Sequence, residues 1–166
     1  MKNTPDEITN SEDILDSCNI QERYDYLTER IQDAFSDAGR DSVDFESCVE
    51  NWKEGNRLDS ILSRLVHLEM LDESELEEWK TIKTVFIDQF STNSEWGYGM
   101  VFLRDSYMDE DWAENQCKDL GYFGTVKNEL PSFIYNNINW QGILEDLQQD
   151  YTTVDFDGVD YWYRLS

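Results

Sequence analysis

Thr152-Thr153-Val154-Asp155-Phe156, the pair Asp157-Gly158, then Val159-Asp160-Tyr161-Trp162-Tyr163-Arg164 reads as two β-strands around a two-residue turn. β-Branched and aromatic side chains alternate with polar ones on both arms, and Asp-Gly suits a turn whose two central residues need positive φ. Such a turn sets Phe156 opposite Val159 and Asp155 opposite Asp160. Like charges facing each other across strands are destabilising, so an acidic patch made by Asp155, Asp157 and Asp160, with Asp150 close in sequence, stands where sheet chemistry disfavours it.

Upstream of the hairpin the period changes from two to that of helices. Asn139 is placed to cap a helix through about Gln149, which carries Glu145 and Asp146. Asp109 to Leu120 reads as a helix stopped by Gly121, and Tyr98 to Leu103 as a strand. The polar stretch Ser91-Thr92-Asn93-Ser94 suits a domain boundary.

Before it the chain reads as a helical bundle. Residues 1 to 10 are polar and expected to fray, with a first helix opening near Asn10 or Ser11 ahead of Ile14 and Leu15. A longer helix, capped by Asn19 and ending before Gly39, repeats Ile20, Tyr24, Leu27, Ile31 and Phe35 at spacings of three and four. Gly39 to Val43 reads as a turn, followed by a short helix through Phe45, Val49 and Trp52 and a break at Gly55. Leu58, Ile61, Leu62, Leu65 and Leu68 form another stripe, and Ser74 with Glu77 forms a capping-box pattern ahead of Leu76, Trp79, Ile82, Phe86 and Phe90. The expected fold class is α+β: a helical region over residues 1–93, then a small α+β unit over 94–166 ending in the hairpin.

Composition supports a folded chain with an unusual surface. Of 166 residues 39% are hydrophobic and 14% aromatic, whereas disordered acidic chains are poor in both. Against this stand 37 Asp+Glu and 13 Lys+Arg, a formal net charge of −24. A small domain stays soluble with a net charge of about 2 to 8, and the excess opposes folding by self-repulsion. Salt adaptation is the plain alternative to a binding role. No apolar run reaches the length of a membrane span, and MKNTPDEITN lacks the basic-then-apolar pattern of a secretory leader, so a cytoplasmic protein is expected. Cys18, Cys48 and Cys117 follow no zinc or redox spacing and read as reduced thiols.

The sharpest acidic pattern lies on the helix after Asn19. With each residue turning about 100°, Glu22, Asp25, Glu29, Asp33 and Asp37 fall within roughly a third of the circumference, opposite the apolar stripe. Their axial spacing of about 4.5 to 6 Å is comparable to the ~3.4 Å between phosphates of one DNA strand. The ordinary reading of such a row is a solvated face. Yet like charges at i,i+4 cost about 0.2 to 0.5 kcal/mol per pair, and Arg23 and Arg30 only flank the row. Asp72, Glu73, Glu75, Asp109, Glu110 and Asp111 sit at helix starts, where the dipole already favours carboxylates.

Catalytic chemistry has no signature here. The lone histidine, His67, lies in a leucine-rich helix, which leaves no histidine cluster for a metal, and the acid-rich segments miss the ligand order of a calcium loop. No P-loop, dinucleotide fingerprint or nucleophile elbow is present. A glycosidase-type carboxylate pair stays open, since among so many acids some pair falls at any spacing. The expectation is a protein that is not an enzyme, with no cofactor and no metal, which acts on a basic partner and does not itself bind nucleic acid.

Residues 97 onward resemble the C-terminal part of the ArdA antirestriction proteins of phages and mobile elements. The resemblance rests on Gly97-Tyr-Gly-Met-Val-Phe-Leu-Arg-Asp-Ser-Tyr-Met108, on Ala113-Glu-Asn-Gln-Cys-Lys-Asp-Leu-Gly121, and on Leu130-Pro-Ser-Phe-Ile-Tyr-Asn-Asn-Ile-Asn-Trp-Gln-Gly-Ile-Leu-Glu-Asp-Leu147 running into Asp150-Tyr151 and Phe156-Asp-Gly158. Asn139 stands where that family often has Asp, Glu145 where Arg is common, and the N-terminal half does not look like the family's first domain. The resemblance implies an elongated, often dimeric DNA mimic that occupies the DNA groove of Type I restriction-modification enzymes. A CRISPR effector, a nucleoid protein or a polymerase subunit is the alternative basic target. Trp140, Tyr151 or Trp162 would supply an apolar patch for a homodimer if exposed, although burial within the α+β unit is the expected fate of each.

Overall fold

The computed structural model describes residues 4–40, 45–122 and 130–166, so the expected turn is described only at Gly39 and Arg40 and its residues 41–43 lie outside. The chain divides into two compact units that interleave in sequence: the segment up to Ile8 with Cys18–Trp96, and Thr9–Ser17 with Gly97–Ser166. The fold class is α+β, with a four-stranded antiparallel sheet and a C-terminal hairpin.

The first unit is built from α1 (Ser17–Asp37), α2 (Phe45–Glu50), α3 (Arg57–His67), α4 (Glu73–Ile82), a π-helical turn (Lys83–Ile87) and α5 (Asp88–Phe90). Of these, Ser17 packs with the second unit. The α1 stripe Ile20, Tyr24, Leu27, Ile31 and Phe35 is buried, as its spacing predicts. At the centre lies Trp79, stacked on Tyr24 with centroids 6.0 Å apart and met edge-on by Trp52 at 5.6 Å. Its indole nitrogen donates to Thr28 Oγ1 at 2.9 Å, which satisfies a buried polar group.

Several expectations are corrected. Residues 1–3 lie outside the described residues, and from Pro5 to Ile8 the segment is held rather than frayed. Arg23 forms a two-pronged pair with Glu78, Nε to Oε1 at 2.9 Å and Nη2 to Oε2 at 2.7 Å, while its Nη1 donates to the Pro5 carbonyl at 2.9 Å. The Ile8 amide donates to Glu78 Oε1 at 3.1 Å. Ile14 and Leu15 begin no helix; they lie in a strand, β1 (Ile14–Asp16), and α1 starts at Ser17 rather than after Asn19. Ser17 secures that junction, its amide donating to the Met100 carbonyl at 2.8 Å and its hydroxyl accepting from the Met100 amide at 2.7 Å.

Two helix ends also differ. The cap of α4 is Asp72, whose Oδ1 accepts the amides of Ser74 at 2.9 Å and Glu75 at 3.1 Å, so the Ser74/Glu77 box does not form. α3 ends at His67, the next turn closing through Glu69 at φ +58°, which leaves Leu68 exposed rather than in the stripe. α2 likewise ends before Trp52, which is buried beyond it.

The second unit holds β1, β2 (Val101–Arg104), α6 (Glu110–Asp119), α7 (Ser132–Tyr135), α8 (Trp140–Gln148), β3 (Thr152–Phe156) and β4 (Val159–Tyr163). The sheet order is β1-β2-β4-β3. The hairpin register is the one its turn dictates, Phe156 opposite Val159 and Asp155 opposite Asp160. Asp157 at φ +50° and Gly158 at φ +81° supply the two positive φ values of a type I′ turn. One face of the sheet sets Leu103 and Trp162 against Met108, Trp112, Ala113 and Leu144 of the α6–α8 layer. The opposite face carries Leu15, Phe102, Val154, Phe156 and Tyr161, all buried. Asp109 caps α6 through the Trp112 amide and Asn139 caps α8 through that of Gly142.

Two stability measurements follow. Asp72→Ala is expected to lower the midpoint of urea unfolding, as the loss of an N-cap does, while Glu77→Gln leaves the cap intact. The Ser74 hydroxyl and the Glu75 amide hold the Asp72 carboxyl below its usual range. A depressed folded pKa stabilises above the unfolded value and is lost as pH falls through the folded one, so the parent and Asp72→Ala should converge in strongly acidic solution. Arg23→Met strands the Glu78 carboxylate, whose side chain is only 10% exposed, and is expected to cost about 3 kcal/mol. Adding Glu78→Leu should recover much of that loss, as read from the same urea curves.

Candidate partner-binding surfaces

The acidic row of α1 is the product of two opposed stripes on one helix. Glu22, Asp25, Glu29, Asp33 and Asp37 are all exposed, and among the described residues none is paired with a Lys or Arg. The two arginines of the same helix point elsewhere. Arg23 is held by Glu78, and Arg30 Nε contacts Glu75 Oε2 at 2.7 Å. Their guanidinium carbons lie 5.3 and 5.8 Å from the Tyr26 ring centroid, one each. Asp25 accepts only a neutral bond, from Gln21 Nε2 at 2.8 Å. The row is therefore a negative ridge with no neutralising cation on it.

The other six candidate acids lie in the second unit. Glu145, Asp146, Asp150, Asp155, Asp157 and Asp160 are exposed and, among the described residues, without a cation partner. Glu145 and Asp146 take side-chain amides of Gln141 and Gln149. The hairpin pair is asymmetric. Asp155 Oδ1 accepts the Gly158 amide at 3.2 Å and so closes the turn, whereas the contact made by Asp160 is through its backbone carbonyl, which accepts from the Asp105 amide at 2.9 Å. Asp155 thus has a structural duty that its position opposite Asp160 conceals. The turn is further tied by Asn10 Nδ2, which donates to the Asp157 carbonyl at 3.1 Å.

The aromatic residues considered for a dimer patch are half-buried instead of exposed. Trp162 and Tyr151 pack on the α6–α8 core, Trp162 Nε1 donating to Asp105 Oδ1 at 2.8 Å, and Trp140 lies edge-on to Tyr135. The exposed large apolar side chains are others, led by Tyr98 at 92% and Phe133 at 72%.

His67 is exposed at the end of α3, and none of the three cysteines is in a disulfide, Cys117 being buried with its thiol pushed up by desolvation. Among the described residues no group of three or more metal-binding side chains is assembled, and no helix is long and apolar enough to cross a membrane. Sequence reasoning missed a cleft in the first unit, of about 590 Å³, between α1, α2 and the π-helical turn. Its buried Lys83 stands four residues from Trp79 and seven from Leu76, within the apolar stripe of α4, and that misplaced charge was the available signal. No family model matches the chain, and neither the curated proteins nor the solved structures contain a match to it.

The ridge repels itself without serving the fold, so neutralising it should stabilise the protein. Asp25→Asn, Glu29→Gln and Asp33→Asn together are expected to add on the order of 1 kcal/mol, from unfavourable pairs at about 0.2 to 0.5 kcal/mol each. Added salt should raise the melting temperature of the parent more than that of the triple variant, because screening relieves what the variant lacks. On the hairpin, Asp160→Asn should stabilise by a few tenths of a kcal/mol, while Asp155→Ala loses its turn bond and should not. Calorimetry in low and high salt decides both.

Proposed function

We propose that this protein acts by binding, as an electrostatic mimic of DNA that occupies the DNA-binding surface of a basic partner. The observation that carries the reading is the α1 ridge: five exposed carboxylates on one helical face, with the arginines of that helix diverted to Glu78 and Glu75. A spacing of about 4.5 to 6 Å along the axis offers a cationic groove a row of charges on the scale of a phosphate backbone. The net charge of −24 speeds encounter with such a groove and disfavours direct binding to nucleic acid. Because residues 97–166 resemble the ArdA proteins, the first target to test is a Type I restriction-modification enzyme, in the cytoplasm of a host cell. Acids of the second unit, from Glu145 to Asp160, form the additional contact set, and a homodimer would double the length of charge presented.

Competition is the deciding measurement. The protein should displace fluorescent duplex DNA from the restriction enzyme, with affinity falling steeply between low and moderate salt as charge pairs are screened. Neutralising Asp25, Glu29 and Asp33 should weaken displacement at least tenfold without loss of fold, and the protein alone should not alter the polarisation of the duplex. A ternary complex of enzyme, DNA and this protein, or full inhibition by the neutralised variant, would refute the mimic. Capture of a CRISPR effector, nucleoid protein or polymerase subunit from host lysate, with the same competition, would move the reading to that target.

A further inference from the structure

The cleft of the first unit stands apart from the ridge and has its own chemistry. Tyr24 and Thr28 come to it from α1, Phe45 and Val49 from α2, and Lys83 and Ile87 from the π-helical turn. That turn is an interruption of an otherwise continuous helix, the Asp88 amide donating to the Lys83 carbonyl five residues back. Insertions of this kind recur at functional sites, where they reorient side chains at the expense of regular hydrogen bonding.

The charges fix the sign of what enters. Lys83 is only 3% exposed and is neutralised by Asp88, Nζ to Oδ1 at 2.6 Å. Across the cleft Glu46 and Glu50 stand one helical turn apart on α2, both exposed and, among the described residues, in no ion pair. With the lysine cancelled by its own partner, the two glutamates leave the cleft net negative. Its walls set Tyr24, Phe45, Val49 and Ile87 among the uncharged polar Thr28, Gln32, Ser91 and Thr92, and burial pushes the Tyr24 phenol up to about 12, so the rest of the lining is neutral at physiological pH. A carboxylate or phosphate is repelled, and a small hydrated metal ion leaves the apolar wall unused. The complementary ligand is a cation on an aliphatic stem, its head on the carboxylates and its stem along Val49 and Ile87.

We infer that this cleft binds an organic cation, an ammonium or guanidinium on an apolar chain, either a free polyamine or an arginine or lysine side chain presented by a protein. The assignment is independent of DNA mimicry, since it uses none of the ridge acids.

The test is a nuclear magnetic resonance titration of the ¹⁵N-labelled protein with spermidine and, separately, with N-acetyl-arginine amide, in a constant background of physiological salt. Saturable shifts of the Val49, Ile87 and Ser91 amides are expected with at least one probe. Saturation by spermidine alone identifies a free polyamine, and saturation by the arginine amide identifies a presented side chain. Glu46→Gln with Glu50→Gln should weaken the binding at least tenfold, whereas the triple ridge variant should leave it unchanged. Ser91→Trp, at an exposed position on the rim, should block the cleft with both carboxylates intact, which guards against misfolding of α2 as the cause. Absence of saturable shifts at these amides with both probes, or shifts spread evenly over the ridge and the hairpin, would overturn the site while leaving the competition with DNA untouched.

Discussion

Scarcity of cations governs this molecule. With 13 Lys+Arg against 37 Asp+Glu, the position of each basic side chain decides which acids stay bare. In the first unit four cations are tied to acids, while Lys53, Arg57 and Arg64 are exposed and, among the described residues, in no ion pair. Arg23 and Arg30 bind Glu78 and Glu75 of α4, Lys80 lies between Asp59 and Glu77, and Lys83 takes Asp88. These pairs stitch α1 and α3 to α4, and the same choice strips the outer face of α1. The ridge is thus a consequence of internal pairing as much as of its own residues. A surface lysine at position 29 or 33 would have been the ordinary arrangement, since Glu-to-Lys pairs at i,i+4 support a helix.

How much of this is legible in the sequence depends on the range of each interaction. The hairpin is local: two turn residues with positive φ determine the register, so Asp155 facing Asp160 follows from six consecutive residues. The buried face of α1 and the caps Asp109 and Asn139 are equally local. β1 is not. Ile14 and Leu15 follow good cap residues and look like a first helical turn, and only pairing with Leu103 and Phe102, far along the chain, makes them a strand. The order of the stretch from Pro5 to Ile8 is hidden for the same reason, because it depends on Arg23 and Glu78 meeting those two residues. Asp72 against Ser74 is a subtler failure, two residues apart, where both positions carry cap-forming side chains and backbone geometry decides.

The acidic surfaces divide along the same line. Exposure of the ridge follows from helical period alone, since the face opposite a buried stripe is outside by geometry. What period leaves unread is the fate of the flanking arginines, whose partners lie on another helix. In the second unit the reverse holds. The opposition of two aspartates is plain from the turn, but the bond from Gly158 to Asp155 is a property of the folded loop, and it changes one of the pair from a liability into a fastening.

That difference separates acids whose presence the fold explains from acids it does not. Asp72, Asp109 and Asp155 accept backbone amides, and Glu75, Glu78 and Asp59 hold cations. Removing any of them takes away an interaction. Glu22, Glu29, Asp33 and Asp37 hold nothing within the chain among the described residues, and they lie close enough to repel one another at about 0.2 to 0.5 kcal/mol per turn. A core organised around Trp79, Phe86 and the α1 stripe tolerates a cost of that size, because burial of a single aromatic side chain, at roughly 1.5 to 3 kcal/mol, is of the same order as the whole row. The fold can carry the ridge but does not need it, and a repulsive feature that the fold does not need is where a reading of function properly begins.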